Sequence, residues 1–322
     1  MSSSSDPANQ VDSLVATARR PLHHTQSMSD SPLVTIGLPV YDSKRYVEQS
    51  LDSLLAQTYS DFVLVISDNA SKDGTADICQ RYAAADSRIR YYRNDVNIGN
   101  PRNFNRVAEL TTTKYLKWST ADDYWEPTFL ERAMEIMEGD PSIALCYPQA
   151  YLVDATGTTK DEYHDVLHLV QDDPVERYKT LLGRIKLAHQ HLGVIRMSCL
   201  HQTHMLGTHV GSDVNLLAEL TLYGKFFELP ERLFNRRFHE DSGSWKRGDL
   251  AHDARRYHAS TGSRATLKAW RTHLRYVAGV RTSPLPLKSK MRLYNMHAWR
   301  MIWDRRQLFR ELVDYMRVRR SA

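Results

Sequence analysis

Apolar and polar positions follow two alternating rhythms along the first half of the chain. Leu33-Val34-Thr35-Ile36-Gly37-Leu38-Pro39 is an apolar run ended by proline, which predicts a buried strand. Val47, Leu51, Leu54 and Leu55 follow at i, i+4, i+7 and i+8, one stripe of an amphipathic helix with Ser43 placed to cap it. Phe62-Val63-Leu64-Val65-Ile66 is a second apolar run. Strand, helix and strand at this spacing make a βαβ unit with parallel strands and a right-handed crossover. The rhythm repeats: a helix through Ile78 and Tyr82, a strand over residues 89–92, and a helix opened by Asn100 and Pro101. A strand over 114–118 comes next, then a helix over 127–138 with Phe129, Leu130, Ala133, Met134 and Met137 on its core face, and a strand over 143–147. This alternation, without internal repeats, predicts an α/β fold with a doubly wound, mostly parallel sheet.

After Tyr151 the pattern loosens, and residues 161–173, rich in His and acid, read as loop. Val194-Ile195-Arg196 suits a strand. Gly211-Ser212-Asp213-Val214 opens a helix that buries Leu216, Leu217 and Leu220 and ends at Gly224. Residues 226–229 and 233–238 look like a hairpin-like pair around Pro230, carrying Arg236, Arg237 and His239 to its far end. Beyond Trp245 a polar loop leads into helical segments.

With 322 residues, 42% hydrophobic and 25% charged, the chain is long enough for a substantial core and has an ordinary soluble composition. The net charge of +5 conceals an uneven distribution. Residues 255–320 carry seventeen Lys or Arg against Asp304, Glu311 and Asp314, so a basic tail follows an acidic body. Cys79, Cys146 and Cys199 show neither disulfide-framework nor zinc-ligand spacing, and a reducing compartment fits them. Residues 1–30 are polar and read as a disordered segment without the apolar core of a signal peptide, and no apolar run reaches membrane-spanning length. A cytoplasmic protein, peripheral on the inner membrane face at most, is the expectation.

Candidate chemistry gathers where predicted strands end. Asp122-Asp123 follows the 114–118 strand, where the crevice of an open α/β sheet receives ligands, and adjacent carboxylates there suit a divalent cation and its phosphates. The same pair also reads as a solvated turn capping the next helix. Asp68 and Asn69 can meet a nucleobase edge or build their loop, whereas Asp73, Gly74 and Thr75 look like turn and cap residues. Arg102, in a first helical turn, can stack on a base or lie on the surface. Asp213, at a helix N-terminus, is either a poised carboxylate or a capping acid.

In order, Leu38-Pro39-Val40-Tyr41, Ser67-Asp68-Asn69-Ala70-Ser71-Lys72-Asp73-Gly74-Thr75, Asn97-Ile98-Gly99, Thr120-Ala121-Asp122-Asp123 and Gly211-Ser212-Asp213 resemble inverting glycosyltransferases of family 2 over residues 32–245. The resemblance implies a GT-A fold over residues 31–245, with a nucleotide-binding half at 31–150 and an acceptor-binding half at 151–245; it says little about residues 246–322, which charge and pattern mark as a basic helical extension. It implies a nucleotide-sugar donor, UDP-linked first, a glycan or lipid-linked acceptor, and bound Mn²⁺ or Mg²⁺. Pro39, Tyr41, Asp68, Asn69, Arg102 and Asp122 would line the nucleotide, Asp123 and His239 would hold the metal, and Arg236 and Arg237 would face the diphosphate. Asp213 would be the general base. The chain departs from the family pattern at Asn69 and Thr120, where acids are common.

Other classes fit less well. A dinucleotide-dependent dehydrogenase needs G-x-G-x-x-G after its first strand, which Gly37-Leu38-Pro39-Val40-Tyr41 lacks. A sugar nucleotidyltransferase needs a Gly-rich, basic triphosphate loop that is missing there. A nucleic-acid binder would use the aromatic, basic tail but gives the acids no purpose, so no nucleic-acid partner is expected. The tail itself suits either an anionic membrane surface or packing against the acidic body.

Overall fold

The computed structural model describes residues 32–163, 165–240 and 267–320. The expected disorder at 1–30 and most of the polar loop beyond Trp245 lie outside the described residues. Residues 32–322 form one compact unit. Its centre is a nine-stranded sheet in the order β3-β2-β1-β4-β8-β6-β9-β5, with β7 paired to β6. The strands are β1 (Val34–Val40), β2 (Phe62–Asp68), β3 (Ile89–Arg93), β4 (Tyr115–Trp118), β5 (Tyr124–Trp125), β6 (Ile143–Val153), β7 (Thr159–Tyr163), β8 (Val194–Arg196) and β9 (Lys225–Arg237). β3, β2, β1 and β4 run parallel, as do β6 and β9, while β8, β5 and β7 pair antiparallel. The predicted doubly wound, mostly parallel α/β sheet is present, and its winding reverses between β1 and β4.

Helices α1 (Val47–Leu55), α2 (Thr75–Ala85), α3 (Asn100–Glu109) and α4 (Phe129–Gly139) cross between strands where the 3.6-residue stripes predict them. Val47, Leu51 and Leu54 of α1 and Phe129, Leu130, Ala133 and Met137 of α4 are buried. Three local readings change. The pair around Pro230 is one continuous strand, because Pro230 falls in a register irregularity beside Pro148 and Gln149, where no ladder N–H is required. Residues 159–163, read partly as loop, form an exposed strand on β6 whose side chains carry no apolar signal. A helix absent from the sequence reading, α5 (Pro174–Arg184), starts with the Asp173 side chain accepting from Val175 N–H and Pro174 in its first turn.

A 3₁₀ turn (His189–Leu192) precedes β8, and α6 (Met197–Leu200) and α7 (Ser212–Leu220) follow it. Gly193, between the turn and β8, runs so close to β6 that a Cβ would sit 2.4 Å from the Cys146 carbonyl oxygen. Gly193→Ala therefore forces backbone apart, at a typical overpacking cost of about 1–3 kcal/mol. A lower thermal midpoint is expected, against an unchanged or raised one for Gly183→Ala, whose Cβ meets nothing within 4 Å.

The C-terminal extension comprises α8 (Lys268–Thr282), α9 (Leu287–Trp303) and α10 (Arg305–Arg320). Tyr276, Val280, Leu285 and Leu293 join the same core as the sheet. His297 of α9 is fully buried, hydrogen-bonded to Tyr178 of α5 at 2.7 Å and stacked on Tyr276. Burial, with the nearby Arg300 and His273 charges, holds its imidazole down at about 4. A histidine depressed in the fold leaves the unfolded chain with more protons as pH drops through 6.5, so stability falls with acidification until the folded group also titrates. Between pH 6.5 and about pH 5 the loss is about 2 kcal/mol for this group. Glu228, which burial pushes up to about 7, works in the opposite direction. The comparison with His297→Gln isolates the histidine: its thermal midpoint is expected to fall less between pH 7 and pH 5 than that of the wild type.

Candidate active site

Parallel strands deliver their C-terminal ends to one edge, and there the loops interlock. Asn69 N–H donates to Val40 O, Asn94 N–H to Asp68 O, and Ser119 N–H to Gly37 O. Asp73 accepts from Thr75 N–H, Thr75 Oγ1–H and Lys44 N–H, the turn and cap role expected of it. Asp68 is completely buried, and its carboxylate accepts from Ser71 N–H, Tyr91 Oη–H and Arg93. Asn69 accepts from Ile98 N–H and Asn94 Nδ2–H and donates to Asn97 Oδ1. Asn69 therefore braces the 94–99 loop from within, while the Asp68 carboxylate ties the 69–71 turn to the end of β3. Pro39 is buried at the end of β1, Tyr41 just past it is 44% exposed, and Arg102 projects into solvent from the first turn of α3.

The pairing of β5 with β9 assembles the acidic and basic groups. Tyr124 lies opposite Asn235, so the residues before β5 meet those after Asn235. Asp123, 6% exposed, accepts from Arg237 N–H at 2.7 Å and from Thr120 Oγ1–H at 2.5 Å. Burial and the adjacent Asp122 push its carboxyl well above the usual carboxylate range, with Arg236 pulling it back. Asp122 is a third exposed, and its Oδ2 lies 3.2 Å from His239 Nε2. The resemblance gives the two acids different tasks, Asp122 at the nucleotide and Asp123 at the metal, and the structure separates them in burial: Asp123 is almost fully buried, whereas Asp122 is partly exposed beside His239.

The two arginines also differ. Arg237 is buried, donating to Asp122 O, Asp154 O, Ala155 O and Gln49 Oε1, with its guanidinium over the Tyr46 ring. It ties β9 to α1 and to the turn after β6. Arg236 donates to Leu187 O and lies close enough to Asp123 and His189 to act on both electrostatically. Tyr46, whose ring centroid is 5.0 Å from His239, went unnoticed in the sequence, as did Gln49. Only tertiary pairing links them to residues nearly two hundred positions away.

Lys117 is another hidden participant. It is 1% exposed on β4, with Nζ 3.2 Å from Trp118 O and 3.4 Å from the Trp125 ring centroid. Burial pushes its ammonium well below the ordinary lysine range, and the Asp123 charge pulls the other way. An amine is thus built into the core within electrostatic reach of Asp123. Its place within an apolar strand concealed it.

Asp213 stands apart from this cluster in the first turn of α7, partly exposed, with Oδ1 accepting from Val214 N–H. α7 packs on the 3₁₀ turn that follows Leu187, the residue held by Arg236. Asn105 of α3 clamps Leu206 N–H and O, fixing the loop that leads to α7 against the helix bearing Arg102.

For a divalent cation, the adjoining donors are Asp122, partly exposed, and His239, largely covered. No group of three or more His, Cys, Asp or Glu side chains among the described residues is arranged to hold a metal alone. Two protein ligands still suit Mg²⁺ or Mn²⁺ when diphosphate oxygens and waters complete the shell. The residues present fit a cation that arrives with its nucleotide.

Comparison with known proteins agrees with this architecture. The chain is 29% identical over 219 residues to a Bacillus subtilis protein named as the teichuronic acid biosynthesis glycosyltransferase TuaG, covering 67% of this chain and 84% of that one. It is 29% identical over 136 residues to the uncharacterized glycosyltransferase MJ1057 of Methanocaldococcus jannaschii, covering 42% of this chain and about half (47%) of that protein. The structure of S. aureus TarS 1-349 in complex with UDP-GlcNAc superposes with a TM-score of 0.63 at 14% identity, over 83% of this chain and 72% of that one, which supports the GT-A fold. Residues 35–202 match the family model for glycosyl transferase family 2, and the chain belongs to that family.

Proposed function

We propose that this glycosyltransferase moves a sugar from a nucleoside-diphosphate sugar, UDP-linked first, to a hydroxyl of a glycan or lipid-linked acceptor with inversion. The observation that carries this reading is the meeting of Asp122 and Asp123, in the loop that leaves the C-terminal end of β4, with Arg236 and His239 at the end of β9. TarS has been crystallised with UDP and UDP-GlcNAc, which favours uridine, and the name of TuaG favours a polysaccharide product.

Tyr41 and Arg102 flank the nucleotide, and Asp68 and Asn69 hold the loops that shape its base pocket. Asp122 and His239 hold the cation, whose chemistry is to offset charge on the departing diphosphate. The resemblance points to Asp123 for that task; because Asp123 is the more buried acid and accepts from Thr120 and Arg237 N–H, we assign it to fixing the loop that aims Asp122. Arg236 adds positive charge beside the leaving group. Asp213 takes the proton of the attacking hydroxyl as its oxygen approaches the anomeric carbon opposite the diphosphate.

Thermal-shift screening of nucleoside diphosphates and their sugars with Mn²⁺ tests the reading, since ligands of the native state raise its apparent stability. Uridine ligands are expected to raise the midpoint most. Shifts with none of the uridine, guanosine or thymidine diphosphates would refute it.

A further inference from the structure

The outer faces of α9 and α10 carry a concentration of uncovered apolar surface. Eight of the twelve large apolar side chains exposed among the described residues lie on these two helices. Trp299, Ile302 and Trp303 share the last turns of α9, with Trp303 80% exposed. Phe309, Leu312 and Met316, at i, i+3 and i+7, form a stripe on α10. Exposed Arg306, Arg310 and Arg317 run beside that stripe. Inner positions of the same helices are covered, with Leu293 and His297 buried and Leu308 5% exposed. The outer stripe is therefore left over after the helices have packed.

We propose that the corner formed by the end of α9 and by α10 inserts into the headgroup region of an anionic bilayer. Exposed tryptophan next to arginine is the pairing that an interface rewards, rings at the headgroup level and guanidinium groups on lipid phosphate. No helix among the described residues is long and apolar enough to cross a membrane, so the contact is superficial. A second copy of the chain is a poorer occupant, since a symmetric contact sets arginine stripe against arginine stripe. Residues 1–31 and 241–266 are mainly polar and lack an apolar run to match the stripe.

The corner is coupled to the rest of the molecule. Ala269 N–H and Trp270 Nε1–H of α8 donate to Glu311 and to Leu308 O of α10, and His273 pairs with Asp304 at 3.0 Å. α8 in turn accepts at Thr272 O from Asn215 of α7, and its Arg275 donates to Met205 O in the loop before α7. A continuous path of packed helices thus joins the bilayer contact to the helix of Asp213. That delivery of a lipid-linked acceptor follows rests on the transferase reading; the bilayer contact itself does not.

Flotation of the full chain with phosphatidylcholine vesicles, with and without phosphatidylglycerol, tests the proposal. The protein is expected to float with the anionic vesicles, to remain below with neutral ones, and to show a blue-shifted tryptophan emission on binding. Trp303→Ser/Phe309→Ser should abolish flotation while leaving the nucleotide thermal shift intact. Arg306→Gln/Arg310→Gln should weaken binding about 30-fold. Failure of the wild type to float on anionic vesicles at low salt overturns the proposal, whatever the variants do. So does equal flotation by a folded Trp303→Ser/Phe309→Ser protein, or a wild-type dimer in sedimentation that this variant dissolves without any vesicle binding.

Discussion

Asp213→Asn is expected to bind donor as the wild type does and to lose about 10²- to 10⁴-fold in transfer, the usual contribution of a positioned general base. The substitution preserves shape, and the Val214 N–H bond to Oδ1 can persist with an amide oxygen. What disappears is proton acceptance. The loss should therefore fall on kcat, with the nucleotide-induced thermal shift unchanged. Asp213 lies on a helix held by Asn215 to α8 and by packing to the 3₁₀ turn, so local unfolding is not the expected consequence. Turnover near wild type in Asp213→Asn would remove the residue from the chemistry and leave it as a first-turn acid favoured by the helix dipole.

The second large effect separates two neighbouring carboxylates. Asp122→Asn is expected to lower turnover by about 10²- to 10³-fold, the scale of one preorganised electrostatic group, and to weaken metal-dependent nucleotide binding. Asp123→Asn should be much milder. Its amide oxygen still accepts from Arg237 N–H, and burial already disfavours the charged carboxylate there. Asp123→Ala, which removes both hydrogen bonds, should instead lower the thermal midpoint, since an orphaned buried donor costs about 1–3 kcal/mol. Kinetics and melting of the three proteins side by side check this. The reverse pattern, with Asp123→Asn inactive and Asp122→Asn active, would return the cation to Asp123.

Much of this architecture was legible because burial dictates it. β1, β2 and β4 are buried on both faces and read as apolar runs, and the stripes of α1 and α4 announce their inner sides. What stayed hidden depends on pairing across the chain. β7 is an exposed strand with no apolar period, and Pro230 disguised β9 as two pieces until its register beside β6 was visible. The different settings of Arg236 and Arg237 follow from which side of β9 each faces, and those of Asp122 and Asp123 from which of them the pairing of β5 with β9 buries; adjacent identical residues carry no sign of that. Asp173-Pro174 ahead of Val175, Tyr178 and Leu181 was a readable start for α5 that passed unread.

The tail illustrates a further limit. Its basic charge suggested two alternatives, a membrane or the acidic body, but charge is not how it packs. α8 and α9 bury Tyr276, Val280, Leu293 and His297 against the body, with Arg292–Asp173 as an added ion pair at 3.1 Å. Gly279 lets α8 approach Glu219, where a Cβ would stand 3.1 Å from its Cδ. The extension is part of the fold, and its exposed outer stripe is a separate feature of the same helices. Point substitutions on that stripe therefore probe it better than deletion of residues 264–322, which would open the core.

The central claim is that Asp122, in the loop after β4, and His239, just past β9, hold a divalent cation together with the diphosphate of the donor. Calorimetric titration of UDP into the wild type and into Asp122→Asn/His239→Ala, each with Mn²⁺ and with chelator, addresses it most directly. The account predicts one site per chain in the wild type, strongly weakened by the chelator, and binding in the variant that is weak and indifferent to Mn²⁺. Equal, Mn²⁺-dependent binding by both proteins would contradict it.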